Sequence, residues 1–178
     1  MAAYIDGNRG AFDDIFRRYA PVVVGMVKRR GGNDDAAKEV TQQTFLQLHR
    51  ARHDYRRGAA LRPWLTTIAL NVFREQLRRG GRRREDLDTA AIDAGVDPVA
   101  DPGADAERAQ TATRLRRAIA ALPAGQREVI LLHWFEGLSF PEIATAIGAG
   151  LSAVKVRAHR GYAALRQSLD AEGIGAAS

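Results

Sequence analysis

The stretch from residue 85 to residue 107, EDLDTAAIDAGVDPVADPGADAE, limits what this 178-residue chain can fold into. It holds eight acidic residues, no basic residue, two prolines and two glycines, and it has neither a helical nor a strand period. A segment of this composition cannot bury enough apolar surface to order itself. We therefore predict a flexible acidic linker at 85–107 that joins two small folded units, residues 1–84 and 108–178.

Charge is distributed unevenly along the chain. The net charge is +6, but residues 1–84 carry 18 Lys/Arg against 8 Asp/Glu, and residues 108–178 carry 9 against 5. Two basic units on an acidic tether are typical of polyanion-binding modules, although such charge can also serve solubility alone. There is no cysteine, no membrane-length apolar run and no secretory signal pattern. These features fit a protein of the reducing cytoplasm.

The first unit has helical periodicity. Phe12, Ile15, Phe16 and Tyr19 recur at helical spacing, and we expect that helix to end near Pro21. A later helix, capped by Asn33 or Asp34, has an apolar stripe. The residues of the stripe are Ala37, Val40, Thr41, Thr44, Phe45 and Leu48. The opposite face consists of Glu39, Gln42, Gln43 and Leu46.

A basic loop, HDYRRGAA, leads to a further helix that opens near Pro63. Aromatic side chains beside cationic ones are typical of surfaces that stack unpaired bases. Tyr55 can touch an extruded base or pack locally, and Trp64 can stack on a base pair or lie in the core. Asn71 can read a base edge or face solvent. The outward stripe of this helix consists of Trp64, Thr67, Asn71, Arg74 and Arg78.

The second unit ends in a helix-turn-helix pattern. Ser139 and Glu142 have capping-box spacing, and Gly148 with Gly150 allows a turn before the last helix. In such units the last helix enters the major groove, although a basic face can also be only solvated. Its expected core side is Leu151, Val154, Ala158, Tyr162 and Leu165. Its outward residues are Ser152, Lys155, Val156, Arg157, His159 and Arg160.

Three stretches in order carry a family resemblance: DDAAKEVTQQTFLQLHR, LRPWLTTIALNVFREQLRR and LPAGQREVILLHWFEGLSFPEIATAIGAGLSAVKVRAHRGYAAL. Through them the chain resembles an extracytoplasmic-function (ECF, group IV) sigma factor of bacterial RNA polymerase. The first two are similar to helices of sigma region 2 and the third to region 4. The resemblance implies an all-α fold of two small helical domains, region 2 in 1–84 and region 4 in 108–178.

The resemblance also implies partners and contact residues. Region 2 is expected to bind the β′ clamp helices of core RNA polymerase through Glu39, Gln42, Gln43 and Leu46. It is expected to melt and read the promoter −10 element through Tyr55, Arg56, Arg57, Trp64, Thr67, Asn71, Arg74 and Arg78. Region 4 is expected to lie at the β flap and read the −35 element through Ser152, Lys155, Val156, Arg157, His159 and Arg160. The linker is expected to thread a cationic channel of the polymerase.

Some residues depart from the family pattern. Lys38 and Gln43 stand where acidic residues are usual, so the clamp contact carries less negative charge. Ala153 and Val156 replace two hydroxyl residues of the recognition helix, which removes two expected DNA contacts. Because many relatives are held inactive by an anti-sigma factor, such a factor is a candidate partner.

Other protein classes fit the sequence less well. A stand-alone helix-turn-helix regulator is the alternative, but it gives the WLTTIALN helix and the acidic tether no role. The sequence has no arrangement of a nucleophile and a base that would predict an enzyme. We also expect no cofactor and no small-molecule substrate. His49 and His53 are spaced to share a metal, but no third ligand follows in an evident pattern, so no metal site is expected.

Overall fold

The computed structural model describes residues 1–79 and 106–171, in two compact units that divide between Asp86 and Leu87. Both units are helical, and the described residues contain no strand, which confirms the all-α prediction. The predicted linker lies outside the described residues except for its last two positions. These two positions begin a helix at Ala106, so the helical part of the second unit starts two residues earlier than predicted.

The first unit is built from helices packed in chain order. They are α1 (Ala2–Ile5), α2 (Gly10–Lys28), α3 (Asp34–Arg50) and α4 (Leu61–Arg79), with a turn of 3₁₀ helix at Arg52–Asp54. α3 packs against both α2 and α4, so it lies at the centre of the unit. The stripe predicted to be apolar on α3 is buried as expected, from Ala37 to Leu48. Asn33 caps this helix, because its Oδ1 accepts a hydrogen bond from the backbone N–H of Ala36 at 2.9 Å.

The course of α2 differs from the prediction. Pro21 lies inside this helix, which continues to Lys28. Proline inside a helix costs about 3 kcal/mol, because it removes a backbone donor and crowds the preceding turn. Each fully buried aliphatic side chain contributes about 1.5–3 kcal/mol, so a shared buried face on both sides of the proline outweighs that cost. The buried residues of this face are Ile15, Val23, Met26 and Val27.

The second unit holds a helix-turn-helix. Its helices are α5 (Ala106–Ala121), α6 (Ala124–Trp134), α7 (Phe140–Ile147) and α8 (Leu151–Ala171). α5, α6 and α7 all pack against α8. One cluster of buried side chains ties α5, α6 and α8 together: Ala118, Ile119, Leu122, Ile130, Leu131 and Leu165.

Local features fix the turn before α8. The Glu142 carboxylate accepts hydrogen bonds from the backbone N–H of Ser139 at 2.8 Å and from its hydroxyl at 2.6 Å, which confirms the predicted capping box. Gly148 ends α7 with φ +66°, a left-handed conformation that favours glycine. Among the described residues no helix has the length and apolarity needed to cross a membrane.

Candidate protein-binding and DNA-binding surfaces

The outward face of α3 is the candidate polymerase-binding surface. The four residues predicted on it, Glu39, Gln42, Gln43 and Leu46, are all exposed, and Leu46 leaves 39% of its surface open to solvent. Glu39 is also tied to α4, because its Oε2 accepts a hydrogen bond from Gln76 Nε2 at 2.6 Å. The face therefore combines one carboxylate of fixed position, two amides and an apolar side chain.

An apolar groove adjoins this face. It runs between α2 and α3, and both Gln42 and Leu46 border it. Phe16 packs on Phe45 with ring centroids 4.7 Å apart, and Phe12 lies edge-on to Phe45 at 6.2 Å. Of the residues that recur at helical spacing on α2, Ile15 enters the core, whereas Phe16 is exposed at the wall of the groove.

The loop after α3 does not present its tyrosine. Tyr55 is only 8% exposed, its hydroxyl donates a hydrogen bond to the carbonyl of Ala59, and its ring centroid lies 5.2 Å from that of Trp64. Burial raises the pKa of the Tyr55 hydroxyl. Of the two roles predicted for Tyr55, the structure therefore shows local packing. In this conformation the ring has no open face on which an extruded base can stack.

Two arginines follow Tyr55 and differ in their surroundings. Arg56 is exposed, whereas Arg57 forms a bidentate ion pair with Asp6, with Nη2–Oδ1 at 2.5 Å and Nη1–Oδ2 at 3.1 Å. The hydrogen bonds of this pair lower the pKa of Asp6 and raise the pKa of Arg57. Sequence periodicity gave no sign of this contact, because its partners are 51 residues apart.

The polar stripe of α4 is only partly open to solvent. Trp64, Thr67 and Arg74 are half-buried, whereas Asn71 and Arg78 are exposed. The Thr67 hydroxyl is engaged within the helix, where it donates to the carbonyl of Pro63 at 2.9 Å. Arg78 pairs with Glu75, which also accepts from Arg79 Nε at 3.0 Å, and these two arginines lower the pKa of Glu75.

The outward face of α8 is an open cationic surface. Ser152, Lys155, Val156, His159 and Arg160 are all exposed, as predicted. Arg157 is half-buried instead, because its guanidinium lies across the first turn of α6. Its Nε would lie 3.5 Å from a Cβ added at Gly125. Leu151, expected in the core, is exposed, since it is the first residue of α8 and precedes the turn that packs.

Gly161 determines how closely α8 lies to α6. This glycine is buried, and a Cβ added to it would lie 3.1 Å from Cγ1 of Ile130. The absence of a side chain therefore permits an approach of the two helices that any other residue would obstruct. This contact holds the inner side of α8 while its cationic side faces outward.

Other side chains were not anticipated as contact candidates. Trp134 is 65% exposed at the end of α6, and its Nε1 donates a hydrogen bond to the Tyr162 hydroxyl at 3.0 Å. A hydrogen bond of 2.5 Å joins the Tyr4 hydroxyl and Nδ1 of His49. His49 thus has a protein partner, and the described residues hold no group of three or more side chains able to bind a metal.

Comparisons with known proteins identify the family to which both units belong. The Sigma-70 region 2 family matches residues 15–83, and the Sigma-70, region 4 family matches residues 112–165. The chain is 37% identical to the RNA polymerase sigma factor CarQ of Myxococcus xanthus, over 95% of each chain. It is 31% identical to the ECF RNA polymerase sigma factor SigM of Mycobacterium tuberculosis, over 95% of this chain and 82% of the relative.

Two solved structures are similar along almost their whole length. One is CnrH in complex with the cytosolic domain of CnrY, with 29% identity, a TM-score of 0.64 and coverage of 96% of this chain and 94% of that one. The other is the sigma factor RpoE in complex with the anti-sigma factor NepR from Bartonella quintana. It shares 25% identity and a TM-score of 0.66, over 90% of this chain and 97% of the other.

Proposed function

Because this chain belongs to the ECF group of the sigma-70 family, whose members bind core RNA polymerase and direct promoter-specific transcription initiation, we propose that its two units read different promoter elements. The first unit melts and reads the −10 element. The second unit reads the −35 element through α8. The sigma factor contributes binding, and the polymerase carries out the phosphodiester chemistry in the cytoplasm.

The observation that best supports this division is the open cationic face of α8. Lys155 and Arg160 are exposed on a helix that follows a capped helix and a glycine turn, the arrangement with which helix-turn-helix units enter the major groove. Lys and Arg donate to guanine O6 and N7, and His159 lies on the same face. Arg157, which lies against α6, is better placed to contact a phosphate than a base edge.

We assign the −10 contacts to the loop and α4 in a revised form. Arg56, Asn71 and Arg78 are exposed and can approach DNA directly, and Arg57 can do so once Asp6 releases it. Tyr55 has a supporting role, because it is buried against Trp64. Trp64, Thr67 and Arg74 are half-buried, so they remain proposed contacts at the edge of this surface.

We assign core-polymerase binding to the α3 face of Glu39, Gln42, Gln43 and Leu46. The exposure of all four residues and the fixed position of the Glu39 carboxylate support this assignment. The second unit binds the β flap, and an anti-sigma factor is a further proposed partner. This last proposal draws on two similar structures: the sigma factor RpoE is bound to the anti-sigma factor NepR, and CnrH is bound to the cytosolic domain of CnrY.

Transcription from cloned promoter-containing DNA tests the function as a whole. We expect core polymerase with this protein to initiate at sites where core alone does not, and mapping those start sites yields the promoter sequence. If the two reactions give the same transcripts, the proposed function is wrong. The alternative function, a helix-turn-helix regulator that acts alone, predicts binding to a palindromic site without core polymerase. A gel-shift assay without core polymerase therefore distinguishes the two functions.

Glu39→Arg tests the α3 face. Reversal of this exposed charge is expected to abolish co-purification with core polymerase, because like charges across an interface cost several kcal/mol. The substitution also removes the hydrogen bond to Gln76, so Gln76→Leu is the matched control, which removes the same bond and leaves the carboxylate in place. Unchanged core binding by the Glu39 variant, or equal loss in both variants, contradicts the assignment.

A further inference from the structure

The segment before α2 lies against the proposed −10 loop. Tyr4 on α1 bonds to His49 at the end of α3, and its ring packs on Phe12 with centroids 5.2 Å apart. Asn8 holds the start of α2, because its Oδ1 accepts from the backbone N–H of Ala11 at 3.2 Å. The segment is therefore anchored on both sides of Asp6 by contacts that do not involve Arg57.

The anchored segment brings the Asp6 carboxylate onto Arg57. The contact is bidentate, with both terminal nitrogens of the guanidinium used by the two carboxylate oxygens. A DNA phosphate likewise offers two acceptor oxygens that a guanidinium can bind bidentately, so it competes for the same two donors. The side chains are 58% exposed for Arg57 and 56% exposed for Asp6, so a phosphate can reach the pair from solvent.

We propose that Asp6 is an internal competitor of promoter DNA for Arg57. It occupies the guanidinium in the free protein, and a DNA phosphate must displace it for Arg57 to take part in −10 binding. This inference rests on the proposed function of the loop as a DNA contact. It adds a residue from outside the loop, Asp6, which affects both the affinity of the first unit for DNA and the salt dependence of that affinity.

Two consequences follow from the position of Asp6. While the ion pair is closed, Arg57 contributes no net charge toward DNA, so the attraction of the loop is due to Arg56. After displacement, Asp6 remains beside the loop because Tyr4 and Asn8 hold its backbone, and its negative charge then repels the arriving phosphate. Both effects weaken DNA binding relative to a chain that lacks the carboxylate.

Asp6→Asn in the full-length protein, assembled with core polymerase, tests this proposal. The probe is the linear promoter fragment recovered by the start-site mapping described above. We expect the variant holoenzyme to bind this fragment about two- to fivefold more tightly, since exposed ion pairs are weak. We also expect the slope of log K against log salt to steepen by up to about 0.9, because one more uncompensated cation faces a phosphate.

Three further variants make the test specific. Asp14→Asn is the matched control, because it removes another exposed carboxylate of the same unit that is paired with an arginine, Arg17. It is expected to leave promoter affinity unchanged. Asp6→Glu, which keeps the charge, should behave as the wild type. In the Arg57→Ala background, Asp6→Asn should have no further effect.

The outcomes separate this proposal from the function on which it rests. If the wild-type holoenzyme recovers no promoter, the proposed function fails before any variant is compared. With a working wild type, unchanged or weaker binding by Asp6→Asn overturns the competitor role, and weaker binding would make Asp6 a residue that positions Arg57. An equal gain in Asp14→Asn, or a gain that persists without Arg57, also overturns it.

Discussion

The cations of the two proposed DNA surfaces differ in what surrounds them. In the first unit Arg57 is paired with Asp6 and Arg78 with Glu75, so part of the positive charge is neutralised within the protein. On α8, Lys155 and Arg160 are exposed and form no ion pair with any residue that the structure describes. Since unpaired cations release counterions from DNA most effectively, we expect the second unit to supply more of the salt-dependent affinity.

The two surfaces also differ in what supports them. The loop of the first unit depends on hydrogen bonds, because the Tyr55 hydroxyl closes it on the carbonyl of Ala59. The helix of the second unit depends on close packing, because Gly161 brings α8 against Ile130. A hydrogen-bonded loop can open at moderate cost, whereas a packed helix cannot shift without disturbing its core. A loop that can open suits a surface that rearranges during promoter melting, whereas a fixed helix suits a surface that recognises bases without rearranging.

Among the substitutions that test this comparison, Arg160→Ala has the largest expected effect. Loss of a bidentate contact to guanine is expected to weaken −35 binding by about 1–3 kcal/mol, or about 5- to 150-fold, and to relax base preference at one position. Arg78→Ala in the first unit is expected to cost less, because its charge is shared with Glu75. Binding of the variant holoenzymes to promoter variants measures both losses. Equal losses would contradict the inference that an unpaired cation contributes more to DNA binding than a paired one.

The same measurement distinguishes two kinds of contact. A loss for Arg160→Ala that is uniform across all base substitutions, with a salt slope lowered by about 0.9, would make Arg160 a phosphate contact rather than a base reader. Arg166→Ala is the matched control. It removes an equal charge from an exposed position of α8 that lies six residues beyond Arg160, past the last predicted contact residue, and should change base preference at no position.

Gly161→Ala tests the packing that supports α8. A new methyl group 3.1 Å from Ile130 Cγ1 requires the Ile130 side chain to shift by a few tenths of an ångström, and overpacking costs about 1–3 kcal/mol. Alanine regains about 1 kcal/mol of helix propensity, so we expect a net loss of about 1 kcal/mol in the free energy of unfolding of the second unit. Urea unfolding followed by circular dichroism measures this loss.

The control for this substitution is Gly125→Ala in α6. There the added Cβ meets Arg157 Nε at an ordinary contact distance of 3.5 Å, so only the gain in propensity applies. The variant should be neutral or slightly more stable than the wild type. If Gly161→Ala is stabilised to the same degree, close packing does not support the recognition helix.

Tyr55→Phe has the smallest expected effect. It keeps the ring on Trp64 and removes only the hydrogen bond to Ala59, which is worth about 0.5–1.5 kcal/mol. We expect a loss at the low end of that range, because Ala59 is exposed and water can replace the hydroxyl. Thermal unfolding measures it. A loss equal to that of Gly161→Ala, or larger, would show that the loop is as tightly supported as α8.

Sequence patterns predicted the features whose causes are local. The buried stripe of α3, the cap at Asn33 and the capping box of Ser139 and Glu142 depend on residues three or four positions apart, so their spacing is visible in the sequence. The outward cations of α8 followed from the same periodicity.

The errors arose where distant contacts override local preference. Pro21 predicts the end of a helix, but α2 continues through it because residues on both sides of the proline share a buried face. The basic loop around Tyr55 predicts either contact with a base or local packing. The tyrosine is buried because it packs on Trp64 from the next helix. The pairing of Arg57 with Asp6 has no local signal at all, because its partners are 51 residues apart in the sequence and are brought together by the packing of α2 on α3.

Each unit contains one of the two tryptophans, and they lie in contrasting environments. Trp64 packs against Tyr55 in the first unit, whereas Trp134 is largely exposed in the second. Replacement of one indole by phenylalanine therefore leaves an intrinsic fluorophore that belongs to the other unit alone. Emission from the remaining ring can follow unfolding, quenching or DNA docking of a single unit in the full-length protein, without any attached dye.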